Sequence, residues 1–319
     1  MKQFAEVGDL KLDSGTTLPG VRITYETWGR PNAARDNAVL ICHALTGDAH
    51  VVGPAGPGQP TPGWWDGLTR YLDPADWYVV AANVLGGCQG TTGPSTEAPD
   101  GRAWGSRFPR AHRPGPGCCR GAARRCARHR PLGGGDRRLD GWHARAGMAA
   151  AVRRQGGDYY GTGRAPMAGL GIARRIAHVT YRSEPELAAR FGRAAQPGED
   201  PLSGGRYAVE SYLDHHADKL SNRFDPGSYV ALTRAMNTHD ITRDRGDLPE
   251  TLTGLKARTV VAAVDSDRLY PPSQSRAITS AHPAAGPLHL INSPYGHDGF
   301  LIELDQVGQL ITEQLRTGN

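Results

Sequence analysis

The sequence contains no apolar run long enough to cross a bilayer. It also does not begin with the charged-then-apolar segment that directs export. A soluble, cytoplasmic protein without a membrane partner is the expectation. The five cysteines stand at irregular positions, which excludes a disulfide framework. Cys118, Cys119, Cys126 and His129 fit no zinc spacing, and there is no internal repeat, P-loop or dinucleotide glycine fingerprint. No metal and no bound cofactor are expected. The 319 residues that remain to be explained suffice for a sizeable core, as one large domain or a core with a lid.

The formal net charge of +5 is unevenly spread. Arg107 to Arg154 holds 13 Arg, no Lys and two acids, Asp136 and Asp140, so it contributes +11 and the rest of the chain −6. The same window has one β-branched aliphatic, Val152. The basic pI therefore belongs to one segment, which reads as a solvated or disordered surface. Read from another functional class, it is a nucleic-acid-binding module. With little aromatic content it supports only non-specific phosphate contact, and no nucleic-acid partner is expected.

Elsewhere, short apolar runs recur between turn signals. Val21–Gly29 alternates as a half-exposed strand should, while 37–45, 77–85, 258–265 and 287–292 are continuous runs suited to buried parallel strands. Leu301–Leu315 has helical spacing, and the polar stretch 156–246 reads as an inserted, mostly helical lid. Strands alternating with helical stretches indicate an α/β sheet.

Two candidate groups follow predicted strands near the C-terminus: Asp267 in "VDSDRLYPP" and His297 in "SPYGHDGF". Loops at the carboxyl ends of strands form the crevice of an open α/β sheet. An Asp and then a His in that order match the last two members of a Ser–Asp–His triad, although an Asp in a turn and a surface His are common. "HALTG" (His43–Gly47) also ends a strand, either as a plain turn or as the loop whose Leu45 N–H lines an oxyanion hole. No G-x-S-x-G occurs anywhere. Gly86-Gly87-Cys88-Gln89-Gly90 fits with Cys in place of Ser, but "TTGP" follows it and leaves no room for the helix that an elbow needs.

The motifs "ICHALTGDAH", "GWWDGL", "NVLGGCQGTTGPS", "GGDYYGTGRAP", "GLGIARRIAHVTYRSE", "VESYLDHHADKLSNRFDPGSYVALTRAMNTHD", "VDSDRLYP" and "GHDGFL" closely resemble the homoserine O-acetyltransferase family. The resemblance runs from about residue 10 to the C-terminus, except for 109–155. It implies an α/β-hydrolase fold with a helical lid insertion, whose central strand and nucleophile elbow are disrupted in this chain. It further implies ping-pong transfer of acetyl from acetyl-CoA to L-homoserine in methionine biosynthesis, with a Ser as the acyl carrier. Carried over residue by residue, Asp267 and His297 are catalytic and Leu45 supplies the oxyanion N–H. Arg174 holds the homoserine carboxylate, Tyr181 shares its helix face and Asp298 holds the ammonium. The family commonly forms homodimers through the lid. A homoserine O-succinyltransferase, or another acyltransferase or hydrolase of the fold, is the alternative. The implied organisation is 1–108 and 247–319 as the two parts of the core, 156–246 as the lid and 109–155 as an aberrant segment.

Within that segment the family pattern expects a buried strand and then Gly-Gly-Ser-Met-Gly-Gly-Met. The codons for 137–144 are CGN CGN CTN GAY GGN TGG CAY GCN, and one base later they permit those seven residues. The sixth shifted codon is forced to Gly, and Met148-Ala149 forces Trp in an onward "MRALEW". Upstream, the shifted codons from Pro109 permit "PALTVRDLVAAEA" and "LGIDRWAAV". A one-base frameshift from about Pro109 to Ala149 accounts for all of this, and "AAAVRRQGGDYY" then joins the lid too early. "PLGGGD" (Pro131–Asp136) replaces a central strand with residues poor in that setting, and no elbow geometry remains for Asp140 to exploit. Either the gene carries the shift and the chain lacks its nucleophile, or the shift arose in reading the gene. Sequencing codons 105–160 is expected to show bases that spell Gly-Gly-Ser-Met-Gly-Gly-Met one position late. Third-position bases that spell anything else sink the frameshift, and an uninterrupted frame means a complete enzyme.

Overall fold

The computed structural model describes residues 1–109 and 159–316, apart from positions 13, 164, 244, 256 and 283. Beyond Pro109, the Arg-rich run with its cysteines, His129, Pro131–Asp136 and Asp140 lies outside the described residues.

Strands β1 (Gln3–Lys11), β2 (Thr17–Trp28), β3 (Ala38–Ile41) and β4 (Tyr78–Ala82) form one sheet in the order β1-β2-β4-β3. β1 and β2 are antiparallel, as are β2 and β4, whereas β3 and β4 run parallel. β5 (Ala262–Val264) and β6 (His289–Ile291) form a second, parallel pair. The continuous apolar runs thus do become parallel strands, but the strands are shorter than the runs. After Ile41 the chain leaves the ladder, and the Gly47 N–H closes a turn on the Ala44 carbonyl at 2.9 Å. β3 is also only half-buried along its length. β1 was not foreseen: its register on β2 shifts around Gly8, and Phe4 is half exposed, so it carries no clean alternation.

Four helices fill much of the segment expected as a lid: α1 (Met167–Tyr181), α2 (Glu184–Phe191), α3 (Ala208–Ser221) and α4 (Pro226–Thr238). α2 starts where Ser183 Oγ accepts the Glu186 N–H, and α4 where Asp225 accepts the Ser228 N–H. Both carry Pro in the first turn. Leu170, Ala173 and Ala177 of α1 pack with Leu220, Phe224, Tyr229 and Leu232 into one buried cluster, which also holds Cys88 and covers Leu45. The chain joins this segment through Tyr159 and Tyr160. Their hydroxyls donate to the two carboxylate oxygens of Asp225 at 2.5 and 2.8 Å.

After α5 (Leu248–Thr253), β5, α6 (Pro272–Ala281) and β6, the C-terminal stretch expected as one helix is two, α7 (Gly299–Ile302) and α8 (Leu304–Arg316). Glu303 between them has ψ 52, outside helical angles. Leu304, Ile311 and Leu315 of α8 pack onto the cluster of Val51, Leu68, Leu72, Val79 and Ala81 beneath the first sheet. Tyr71 lies across α8 and donates to Asp305 at 2.6 Å. Gly308 is what lets the ring approach, since a Cβ there would stand 2.2 Å from Tyr71 Cδ2. Gly308→Ala is therefore expected to destabilise the protein by about 1–3 kcal/mol, measured as a lower denaturant midpoint.

Candidate active site

The loops that follow β5 and β6 are tied to each other before they present any chemistry. Asp265 Oδ1 accepts the Ser293 N–H at 3.1 Å, Ser266 Oγ donates to the Ser293 carbonyl, and the Gly296 N–H donates to Ser266 Oγ at 3.0 Å. These links bring Asp267 and His297 together, with Nδ1–H donating to Asp267 Oδ2 at 2.7 Å. Asp267 Oδ1 accepts the N–H groups of Leu269 and Tyr270 at 2.8 and 2.9 Å. Three donors converge on this buried carboxylate, and it in turn fixes the imidazole so that Nε2 is the nitrogen left to act as a base. Among the described residues nothing is hydrogen-bonded to Nε2. The rings of Tyr270, Phe300 and Tyr181 stand 5.1, 5.6 and 5.9 Å from that of His297.

The helical segment supplies the other wall. Gly296 has φ +66, and a Cβ on it would lie 2.3 Å from the Tyr181 carbonyl, so only glycine permits this approach. Ser183 Oγ also donates to the Pro294 carbonyl. Tyr181 then spans from His297 to Arg174, whose guanidinium carbon is 5.7 Å from the Tyr181 ring centre. Arg174 Nε is buried and has no hydrogen-bond partner among the described residues, as suits a group that awaits an acceptor. Asp298 does not join Arg174 directly: its Oδ2 accepts from Arg182 Nη1 at 3.2 Å.

The "HALTG" loop is held from both sides. His43 Nε2 accepts the Val84 N–H at 3.1 Å and Nδ1–H donates to the Ala44 carbonyl at 2.7 Å. Burial keeps this ring's pKa below the ordinary value, consistent with the neutral tautomer that both bonds require. Arg223, just beyond α3, donates to the Thr46 carbonyl at 2.9 Å. Among the described residues no group accepts the Leu45 N–H. Cys88 is buried, and that burial lifts its thiol to about 11, so it stays protonated and inert. Motif reading missed Arg182, Glu186 and Arg223. The i, i+4 spacing of Arg182 and Glu186 was an available signal; Arg223 reaches its partner across 177 residues and left none.

Solved structures share this fold over nearly the whole chain. Esterase E22 has a TM-score of 0.81 at 20% identity, covering 99% of both chains. The homoserine O-acetyltransferase from Bacillus anthracis also has 0.81 at 20%, covering 99% of this chain and 97% of that one. This likeness defines the molecule as a protein of the α/β-hydrolase fold, with an Asp–His pair on the loops after β5 and β6. Sequence relatives narrow the class. The homoserine O-acetyltransferase of Thermobifida fusca (strain YX) is 50% identical, over 98% of this chain and 93% of the relative. That of Mycobacterium tuberculosis (strain CDC 1551 / Oshkosh) is 45% identical, over 97% and 92%. The chain belongs to the homoserine O-acetyltransferase family. No family model matches it. The alignment with the Thermobifida relative runs over 361 positions, more than the 319 residues of this chain, so it holds gaps on this side.

Between α1 and α3 a histidine pair, His178 buried and His216 half-buried, adds a pH dependence. The rings of His178 and His216 stack at 4.0 Å, and His178 Nδ1 lies 3.1 Å from the Tyr212 hydroxyl. Burial, and secondarily the Arg174 charge, pull His178 from 6.5 down to about 2 and His216 to about 4. The unfolded chain takes up these protons near pH 6.5 and the folded chain does not. The stability is thus complete above pH 6.5 and drains as the pH falls, down to about 4 for His216 and to about 2 for His178. Urea midpoints are expected to fall between pH 7 and pH 5, with His178 contributing up to about 1.4 kcal/mol per pH unit. His178→Gln should flatten that slope by about one proton.

Proposed function

We propose that this site is built to carry acetyl from acetyl-CoA to the hydroxyl of L-homoserine, and that the chain as written holds the acceptor-binding and proton-transfer parts without the acyl carrier. The observation that carries the reading is His297, fixed by Asp267 and with no described partner on Nε2, in a chain without G-x-S-x-G. In the complete reaction a serine Oγ attacks the thioester carbonyl and His297 takes its proton. The coenzyme A thiolate leaves and is protonated, and the homoserine hydroxyl then attacks the acyl-enzyme with His297 again as base. Leu45 N–H is one oxyanion donor, and the residue after the missing serine would be the other. Arg174 pairs with the substrate carboxylate, Tyr181 bounds the same face of α1, and Asp298 takes the ammonium.

The gaps on this side of the alignment support a deletion, in keeping with the frameshift and the early junction at the helical segment. No helix among the described residues is long and apolar enough to cross a membrane, which is consistent with the proposed cytoplasmic location. Exposed Ile172 and Val179 on α1 are consistent with a homodimer formed through the helical segment.

An acyl-transfer assay with acetyl-CoA and L-homoserine tests the reading. The chain as written is expected to run on the order of a millionfold below an intact serine enzyme. Replacing 109–155 by the corresponding stretch of the Thermobifida relative is expected to restore transfer. Turnover at ordinary rates by the unrepaired chain would overturn the loss of the nucleophile. Preference of the repaired chain for succinyl-CoA, or for water as acceptor, would overturn the substrate assignment.

A further inference from the structure

The buried arginine at the end of α1 raises a question of charge. Arg182 donates to Glu186 through Nε at 3.1 Å and Nη2 at 2.7 Å, and to Asp298 Oδ2 through Nη1 at 3.2 Å. Its guanidinium carbon also lies 5.2 Å from the ring centre of Tyr295. Arg182 and Glu186 are each 7% exposed, and these carboxylates hold the guanidinium well above its ordinary pKa despite its burial. Asp298 uses one oxygen for Arg182, and no described residue is hydrogen-bonded to Oδ1. Tyr212 faces the cluster, and burial raises its phenol, so it stays uncharged. Arg190 approaches Glu186 only to 3.7 Å with a half-exposed side chain, so solvent screens it.

The group is therefore one buried cation with two carboxylates, Glu186 buried and Asp298 half-buried. A lone Arg182–Asp298 pair would be neutral and would offer a cation no net attraction. The two bonds that Glu186 accepts take up the arginine's charge and leave Asp298 with an unbalanced negative charge on Oδ1, which no described residue engages. We propose that Glu186 is a specificity-determining residue: by neutralising Arg182 it makes Asp298 a site for an ammonium group and so selects an amino-acid acceptor over its deaminated analogue. This rests on the assignment of Asp298 to the substrate ammonium. Glu186 acts through Arg182 and touches no substrate.

The test is equilibrium binding of L-homoserine and of 4-hydroxybutanoate, which has the hydroxyl and carboxylate but no ammonium, to the full chain by calorimetry. The wild-type chain is expected to prefer L-homoserine, and E186Q to cut that preference about tenfold with 4-hydroxybutanoate affinity unchanged. The double variant R182M/E186M removes a cation and an anion together and should restore most of the preference, whereas a purely structural role would lose it. Replacing a buried ion pair by apolar residues is often neutral or stabilising, so this variant decides if E186Q does not fold. D298N separates the two levels. Preference lost in D298N but kept in E186Q, or lost in the double variant, overturns the role of Glu186 and leaves the ammonium assignment standing. Preference kept in D298N, or absent from the wild-type chain, overturns both.

Discussion

The contact between the backbone of Gly296 and the Tyr181 carbonyl governs the geometry of this site. Nothing larger than hydrogen fits between them, so the loop after β6 and the end of α1 meet main chain to main chain. From that point the neighbours follow in order. Tyr181 faces His297, Arg182 reaches Asp298, and Ser183 both caps α2 and holds the Pro294 carbonyl. One close approach thus sets the base, the anionic group beside it and the start of the next helix. Side-chain packing alone would leave more play, because long side chains can change rotamer whereas a peptide plane against a peptide plane has little freedom.

The Asp–His pair keeps its geometry in a chain without G-x-S-x-G for a physical reason. The Leu269 and Tyr270 amides, Asp265, Ser266 and the turn at Gly296 all belong to the short stretch that follows β5, and Ser183 adds a tie to the Pro294 carbonyl. The loop at His43–Gly47 is held in turn by a neutral His43 and, across 177 residues, by Arg223.

What could be read from the sequence followed the range of the interaction. Asp267 and His297 could be placed because each ends a short apolar run, and the order of two strand-end groups is a local signal. β2, β4 and the helices of 167–238 carried periodicity and were legible. β1 was not, because its shifted register and exposed Phe4 break the alternation. The break at Glu303 was also invisible, since the apolar spacing runs straight across it and only tertiary packing reveals the turn. Arg174 and Asp298 were legible through their motifs, but not the fact that Asp298 already has a partner. A buried arginine between two carboxylates is a property of three segments at once, and only the i, i+4 pair within it is local. The Arg-rich run taught the opposite lesson: its composition pointed to a charged surface, and its codons pointed to a displaced elbow.

The packing of α8 has a consequence for how the molecule is held together as an object. Leu304, Ile311 and Leu315 lie on the cluster that includes Leu68, Leu72 and Val79, so the last helix of the chain is bolted to its first hundred residues. Tyr159 and Tyr160 meanwhile fasten the start of the second half to Asp225 within that same half. The cluster beneath α8 is complete only once residues near 310 have come back to residues near 70, so its burial requires contact across most of the length of the chain.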